Sequence, residues 1–164
     1  MQTVCRSAVP EDYDAILEFN GESLPAVARL DAAYFELLVE VCEHFKIVEL
    51  DGVVAGYLFA MSSDAAYDGE EFQWFRRHLD ARFLYVDQIA VRESCRGREL
   101  GKRLYENLET EAARSSVRVF ACEVNHDPPN EPSRAFHARM GFREVGRLDT
   151  RGVTVSLMVK GDIG

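Results

Sequence analysis

Residues 83–91 read Phe83-Leu-Tyr-Val-Asp-Gln-Ile-Ala-Val91, and they run straight into Arg92-Glu-Ser-Cys-Arg-Gly-Arg-Glu-Leu-Gly-Lys-Arg103. The first stretch is rich in β-branched and aromatic residues and predicts a strand. Beyond the second, Leu100, Leu104, Leu108 and Ala112 recur at four-residue steps and predict a helix. A strand that enters a helix through a basic, glycine-containing turn leaves unpaired backbone N–H groups at the positive end of the helix dipole, which is a ready site for phosphate oxygens. Gly97 and Gly101 let the backbone come close, and Arg96, Arg98 and Lys102 can add charge-assisted hydrogen bonds. A surface turn with solvated arginines would carry the same residues, so the short motif alone does not choose. The strand has a phase break: Leu84 and Val86 share one parity, Ile89 and Val91 the other. One extra residue near Asp87-Gln88, a β-bulge, would reconcile them.

Working outward, residues 117–124 predict a strand that closes a β-α-β unit, parallel to the first by the right-handed crossover rule. Pro132 then opens a helix that Gly141 ends, and strands follow at 142–148 and 153–159. Upstream, residues 2–9 predict a strand, and Pro10 with Glu11 and Asp12 starts a helix interrupted by Gly21 and Pro25. A second amphipathic helix is predicted over 31–45, then strands 46–50 and 53–61 around the hairpin signal Asp51-Gly52. The insert 62–80, with Tyr67, Phe72, Trp74 and Phe75, reads as an irregular loop with a short helical turn whose aromatic residues either line an acceptor pocket or, as is commoner in loops, dock it to the body. With no repeat, low-complexity tract or linker, residues 1–164 are expected to form a single α/β (α+β) domain. Its mixed, mostly antiparallel sheet would have about seven strands, with a parallel central pair and helices on both faces.

The balance of 47% hydrophobic and 29% charged residues is that of a soluble globular chain. A formal charge of −9 argues against nucleic acid or an anionic membrane as the main partner and suits a cationic one. Cys5, Cys42, Cys95 and Cys122 lie far apart with no metal-ligand spacing, so they are expected to be reduced thiols, with no metal site. No leader-like or membrane-spanning stretch is evident, and cytoplasmic residence is the expectation.

In element order nearly the whole chain resembles the GNAT acetyltransferase family, and two motifs carry the resemblance. The family's Arg/Gln-x-x-Gly-x-Gly/Ala signature falls on Arg96-Gly97-Arg98-Glu99-Leu100-Gly101, with Glu99 where the central glycine is usual. Its Asn-x-x-Ser/Ala-x-x-x-Tyr-x-x-x-Gly-Phe segment falls on Asn130, Ser133, His137, Gly141 and Phe142, with His137 where many members have tyrosine. The resemblance implies acetyl-CoA as cosubstrate and no metal. It implies that the pyrophosphate is held by residues 96–102, that main-chain groups of Ile89, Ala90 and Val91 bind the pantetheine arm, and that Asn130, Ser133 and Phe136 flank the cofactor. The acyl group of such proteins sits where the two central parallel strands diverge.

Transfer to a primary amine needs the acceptor ammonium stripped of its proton, and Glu22, Asp87, Glu123 and Asp127 are candidates to help. Asp87 and Glu123 stand out as charged residues within strands. Asn20 and Glu22 in the turn after the first helix are candidates to bind the acceptor. His137 is the candidate acid for the departing thiolate, since an ordinary imidazole pKa of about 6.5 leaves some imidazolium near neutrality. Direct transfer needs no nucleophilic residue, and neither Cys95 nor Cys122 has a histidine nearby in sequence. A second expectation is a catalytically silent acyl-CoA-binding module, kept open by Glu99 and His137. Monomer and homodimer are both compatible with the sequence.

Overall fold

A computed structural model describes residues 1–163. Seven strands form one mixed sheet in the order β1-β2-β3-β4-β5-β7-β6, in which β4 and β5 are the parallel neighbours. The strands are β1 (Thr3–Ser7), β2 (His44–Leu50), β3 (Val53–Ser62), β4 (Leu84–Val91), β5 (Phe120–Asp127), β6 (Arg143–Thr150) and β7 (Val153–Lys160). The helices are α1 (Tyr13–Glu22), α2 (Ala32–Val41), α3 (Glu70–His78), α4 (Leu100–Ala113) and α5 (Glu131–Arg139). The chain groups into two compact units, Met1–Met61 with Asp87–Glu111, and Ser62–Val86 with the residues from Ala112 onward. Among the described residues no helix is long and apolar enough to cross a membrane.

In the first unit β2 and β3 form a hairpin closed by Asp51 and Gly52, both at positive φ (51° and 82°), which is the backbone that the strand twist demands of a two-residue turn. Helix α2 starts where Asp31 accepts a hydrogen bond from the Tyr34 N–H at 2.8 Å. It stops at Val41, short of the predicted 45, because the chain turns extended at Cys42 (ψ 118°) and His44 and Phe45 enter β2. Phe45 then stacks on Phe59 at 4.0 Å between centroids, a contact that a helical continuation would forgo. Helix α1 runs through Gly21, with the 3-10 turn Pro10–Asp12 leading into it. Both helices cover the same face of β3, since Phe19 of α1 packs on Tyr57 and Phe35 of α2 on Phe59. Helix α4 buries Leu100, Leu104 and Leu108 as its period predicts. Glu111 pairs with the buried Lys46 of β2 at 2.6 Å and ties the helix to the sheet.

In the second unit the insert is more regular than the sequence reading allowed. Residues 70–78 form a nine-residue helix, α3, with Glu70 and Glu71 in its first turn and Arg76, Arg77 and His78 in its last. That charge order suits the helix dipole, and the three-residue spacing of Phe72 and Phe75 buries both rings against Phe83 and Tyr85. The aromatic residues dock the segment as expected. Trp74 lies against Gly146 of β6, where a Cβ would stand 2.7 Å from the indole ring. Strand β7 pairs antiparallel with both β5 and β6, and β4 meets β5 at Leu84↔Phe120 and Tyr85↔Ala121.

Candidate functional site

The first unit carries the turn into α4. After a 3-10 turn at Glu93–Cys95 the chain is extended at Arg96 (φ −67°, ψ 157°) and left-handed at Gly97 (φ 81°) and Glu99 (φ 58°). Arg96, Gly97, Arg98 and Glu99 are exposed, and Leu100 is buried as the first residue of the helix. The first closed helical bond runs from the Arg103 N–H to the Glu99 carbonyl at 3.1 Å. The amides of Leu100, Gly101 and Lys102 therefore have no acceptor within the helix, as for any helix start. Lys102 lies 3.9 Å from Glu106, an exposed pair that leaves the ammonium largely available. Glu99 explains itself by its backbone: the position needs φ > 0, which glycine adopts without strain and glutamate does not.

Strand β4 leads into this turn. Tyr34 of α2 donates its phenolic proton to Asp87, while the next residue, Gln88, bonds to Asn20 of α1 and Tyr57 of β3. From Val86 to Val91 burial alternates regularly, with Gln88 and Ala90 on the buried parity of Val86, whereas the expected bulge would have put Ile89 and Val91 there. Ile89 and Val91 are half-buried and Ala90 is buried. Gly56 of β3 makes a close approach here, because a Cβ on it would stand 2.9 Å from the Ala90 carbonyl oxygen.

Of the two residues expected to bind the acceptor, Glu22 is exposed, 3.9 Å from Arg92, whose guanidinium lies 4.8 Å over the Phe19 ring. Asn20 instead is buried, and its Oδ1 accepts the Leu30 N–H at 2.9 Å, so its amide serves the chain's own backbone.

The second unit carries Glu123 on β5. The buried phenol of Tyr85 donates to Glu123 Oε2 at 2.5 Å. The parallel register of Tyr85 with Ala121 sets Glu123 two residues further along β5, on the same side as Ala121, within reach of that phenol. Arg151, in the β6–β7 turn, pairs with the buried Glu71 of α3. Hydrogen bonding to Glu71 raises the Arg151 pKa, with smaller contributions from the charge of Glu71 and from Glu123 and Tyr85, which places a fixed cation near Glu123. Beside it lies an open hollow lined by Asp127, Asp149 and residues 150–154. Tyr85 and Arg151 were not singled out from the sequence; a tyrosine in a strand usually marks packing, and only the register shows what it meets.

Helix α5 begins with Asn130 as its cap, accepting the Ser133 N–H at 3.3 Å. His137 is 3% exposed, wedged edge-on between Phe136 and Phe142 at 5.0 and 5.2 Å. Its Nδ1 lies 2.8 Å from the Ser133 carbonyl oxygen, so that nitrogen carries a proton and donates it. Burial lowers the His137 pKa below its ordinary 6.5, partly opposed by that hydrogen bond. Nε2 thus becomes a donor only in the imidazolium, which burial disfavours.

The chain matches the Acetyltransferase (GNAT) family over residues 11–142. It is 24% identical over 138 residues to the "Putative ribosomal protein bS18-alanine N-acetyltransferase" of Bacillus subtilis (strain 168), covering 83% of this chain and 78% of that one. It is 25% identical over 150 residues to the 5-NmdU N-acetyltransferase of Pseudomonas phage PaMx11, covering 87% and 89%. The fold is also that of Arabidopsis thaliana NAA60 crystallised with acetyl-CoA, with a TM-score of 0.77 at 18% identity over 98% of this chain and 100% of the other.

Proposed function

The chain belongs to the acetyltransferase (GNAT) family, and on that footing we propose that it moves an acetyl group directly from acetyl-CoA to a primary amine, its two compact units working as one domain. The observation that carries this reading is the start of α4, where helix-end amides lie beside exposed Arg96, Arg98 and Lys102. Two linked phosphates satisfy such amides and meet a local basic excess within an acidic chain. Main-chain groups of Ile89, Ala90 and Val91 take the pantetheine arm, and Asn130, Ser133 and Phe136 flank it.

Glu123 takes the proton of the acceptor ammonium, directly or through a water. Its hydrogen bond from Tyr85 fixes the carboxylate's direction. The freed lone pair then attacks the thioester carbonyl, and β4 amides stabilise the oxyanion, a contribution of roughly 3 kcal/mol per donor in other enzymes. Collapse expels the CoA thiolate. As the amide forms, the attacking nitrogen sheds its second surplus proton, which reaches the thiolate directly or replaces the one that an imidazolium His137 gives it from Nε2, and the proton held by Glu123 passes to solvent. Asp87, bonded to Tyr34, acts in the same reading as an anionic group toward the arriving ammonium.

The acceptor enters as a cation, and helices α1 and α2 suit one: Asp14, Glu18, Glu22, Glu36 and Glu40 are exposed on them, and neither helix contains a lysine or arginine. One relative is named for alanine of ribosomal protein bS18 and the other for 5-NmdU. A panel containing an alanine-initiated peptide, a polyamine and an aminoglycoside, read by thiol release beside calorimetry with acetyl-CoA, tests the proposal. Thiol release with one class of amine supports it. Tight acetyl-CoA binding with no release above the no-amine background would instead establish a silent binding module, the reading that the strained Glu99 and the buried His137 favour.

A further inference from the structure

Three polar side chains of the first unit are buried more deeply than the chemistry above requires: Tyr57 at 0%, Asn20 at 2% and Gln88 at 4% exposure. They form a closed set. The Tyr57 phenol donates to Gln88 Oε1 at 2.7 Å, and Asn20 Nδ2 lies 3.0 Å from the Tyr57 oxygen. Asn20 Nδ2 and Gln88 Nε2 both donate to the Ala28 carbonyl, at 3.0 and 2.9 Å, and Asn20 Oδ1 accepts the Leu30 N–H at 2.9 Å.

An apolar trio of similar size would pack in the same place without desolvating any polar group. What the polar trio adds is a grip on backbone. The segment between α1 and α2, residues 23–31, belongs to no helix or strand, and side chains read its Ala28 carbonyl and Leu30 amide. The grip comes from Gln88, directly after Asp87 in β4, and Asp87 in turn holds Tyr34 in the first turn of α2. Two successive residues of β4 thus fasten both the segment and the helix that follows it. Burial pushes the Tyr57 pKa above its ordinary value, which keeps the phenol a donor at any working pH.

We propose that Asn20, Tyr57 and Gln88 are positioning residues that fasten segment 23–31 to β4, making it a fixed wall along which the acceptor amine approaches the thioester. This rests on the acetyl-transfer reading, in which β4 carries the thioester. The side-chain hydrogen bonds of the latch run to segment 23–31 and not to the turn at 96–102, so its loss should weigh on the acceptor more than on acetyl-CoA.

The test uses the full chain with Tyr57→Phe, which removes one hydroxyl, and Gln88→Met, which removes the amide at near-constant volume. The probe acceptor is an alanine-initiated peptide or, failing turnover with it, the amine of the panel that releases thiol. Expected are a rise of about tenfold in the acceptor KM, an acetyl-CoA KM within about twofold of the parent, and faster hydrogen exchange at Leu30 with exchange along α4 unchanged. An unchanged acceptor KM despite faster exchange at Leu30 overturns the proposal. So does an equal loss for both substrates with exchange raised throughout, which is the mark of general destabilisation. A parent protein that releases no thiol with any amine removes the acetyl-transfer reading itself; an active parent whose variants show no KM split removes only the positioning role.

Discussion

Replacing Glu99 separates two penalties at the phosphate turn, one of backbone and one of charge. The residue is left-handed (φ 58°) and exposed on the doorstep of α4. An L-residue in that region carries about 1–2 kcal/mol of strain, and glycine none, although glycine's greater freedom in the unfolded chain returns about 0.4–1 kcal/mol. Glu99→Gly should therefore stabilise by up to about 1 kcal/mol, or roughly 2–4 °C in Tm for a chain of this size. Glu99→Gln keeps the side chain's bulk and backbone demand and should leave Tm nearly unchanged. The charge acts on affinity. A carboxylate about 7 Å from a diphosphate, in a watery setting, opposes it by about 0.6 kcal/mol per phosphate charge, or roughly 1.2 in all. At physiological salt, with a Debye length of about 8 Å, some 40% of that survives. Both variants should thus bind acetyl-CoA about twofold more tightly at physiological salt and about five- to eightfold more tightly at low salt. Calorimetry at two ionic strengths with parallel thermal melts reads all four quantities. Weaker binding by the glutamine variant, or a gain that does not depend on salt, would refute the placement of a diphosphate at this turn. A Tm lowered by Glu99→Gly would refute the strain argument independently.

Gly56→Ala should cost about 1–3 kcal/mol, because its methyl would stand 2.9 Å from the Ala90 carbonyl oxygen and 3.0 Å from Val48 Cγ1 with no flexible end to yield; a melt unchanged within error contradicts the close approach. Glu123→Gln should lower kcat about 10²–10⁴-fold, and Tyr85→Phe by a smaller factor of about ten, because the carboxylate loses the donor that orients it. Full activity in Glu123→Gln excludes Glu123 as the base, and full activity in Tyr85→Phe excludes only the orienting role of the phenol. His137 is held neutral by burial, so the unfolded chain takes up a proton at this site that the folded one resists. Its stabilising contribution is complete above pH about 6.5 and is lost as the pH falls toward the lowered folded-state pKa, and His137→Phe should flatten the Tm-versus-pH curve over that window. An unaltered slope shows that the ring titrates normally.

The strand-to-helix turn at 92–103 was legible because its information is local: strand, glycines, basic residues and a four-residue apolar step all fall within one stretch of chain. The change of parity at Asp87-Gln88 was misleading as a sign of a bulge, because the polar Gln88 takes a buried position that the parity reading reserves for apolar side chains. Helix α3 was read too loosely, since Phe72 and Phe75 alone give a short apolar signal in a polar segment and only the charge order of Glu70, Glu71, Arg76 and Arg77 marks its ends. Asn20 shows the opposite limit. An asparagine near a helix end reads as a turn residue facing solvent, and only the return of residues 28–30 over it turns it inward. Tyr85 and Glu123 lie 38 residues apart in sequence and meet through strand register alone.

Strand β4 shows how far chemistry can override packing. Tyr85, Asp87 and Gln88 put three hydrogen-bonding side chains into a strand where an apolar run would satisfy the core. Leaving any of them unpartnered would cost about 1–3 kcal/mol, and each has a partner: Tyr85 gives to Glu123, Asp87 takes from Tyr34, and Gln88 both takes from Tyr57 and gives to Ala28. Such pairing offsets desolvation without adding much stability, so stability does not explain why these residues are there. Direction does. A paired polar group holds one geometry where an apolar side chain would tolerate several.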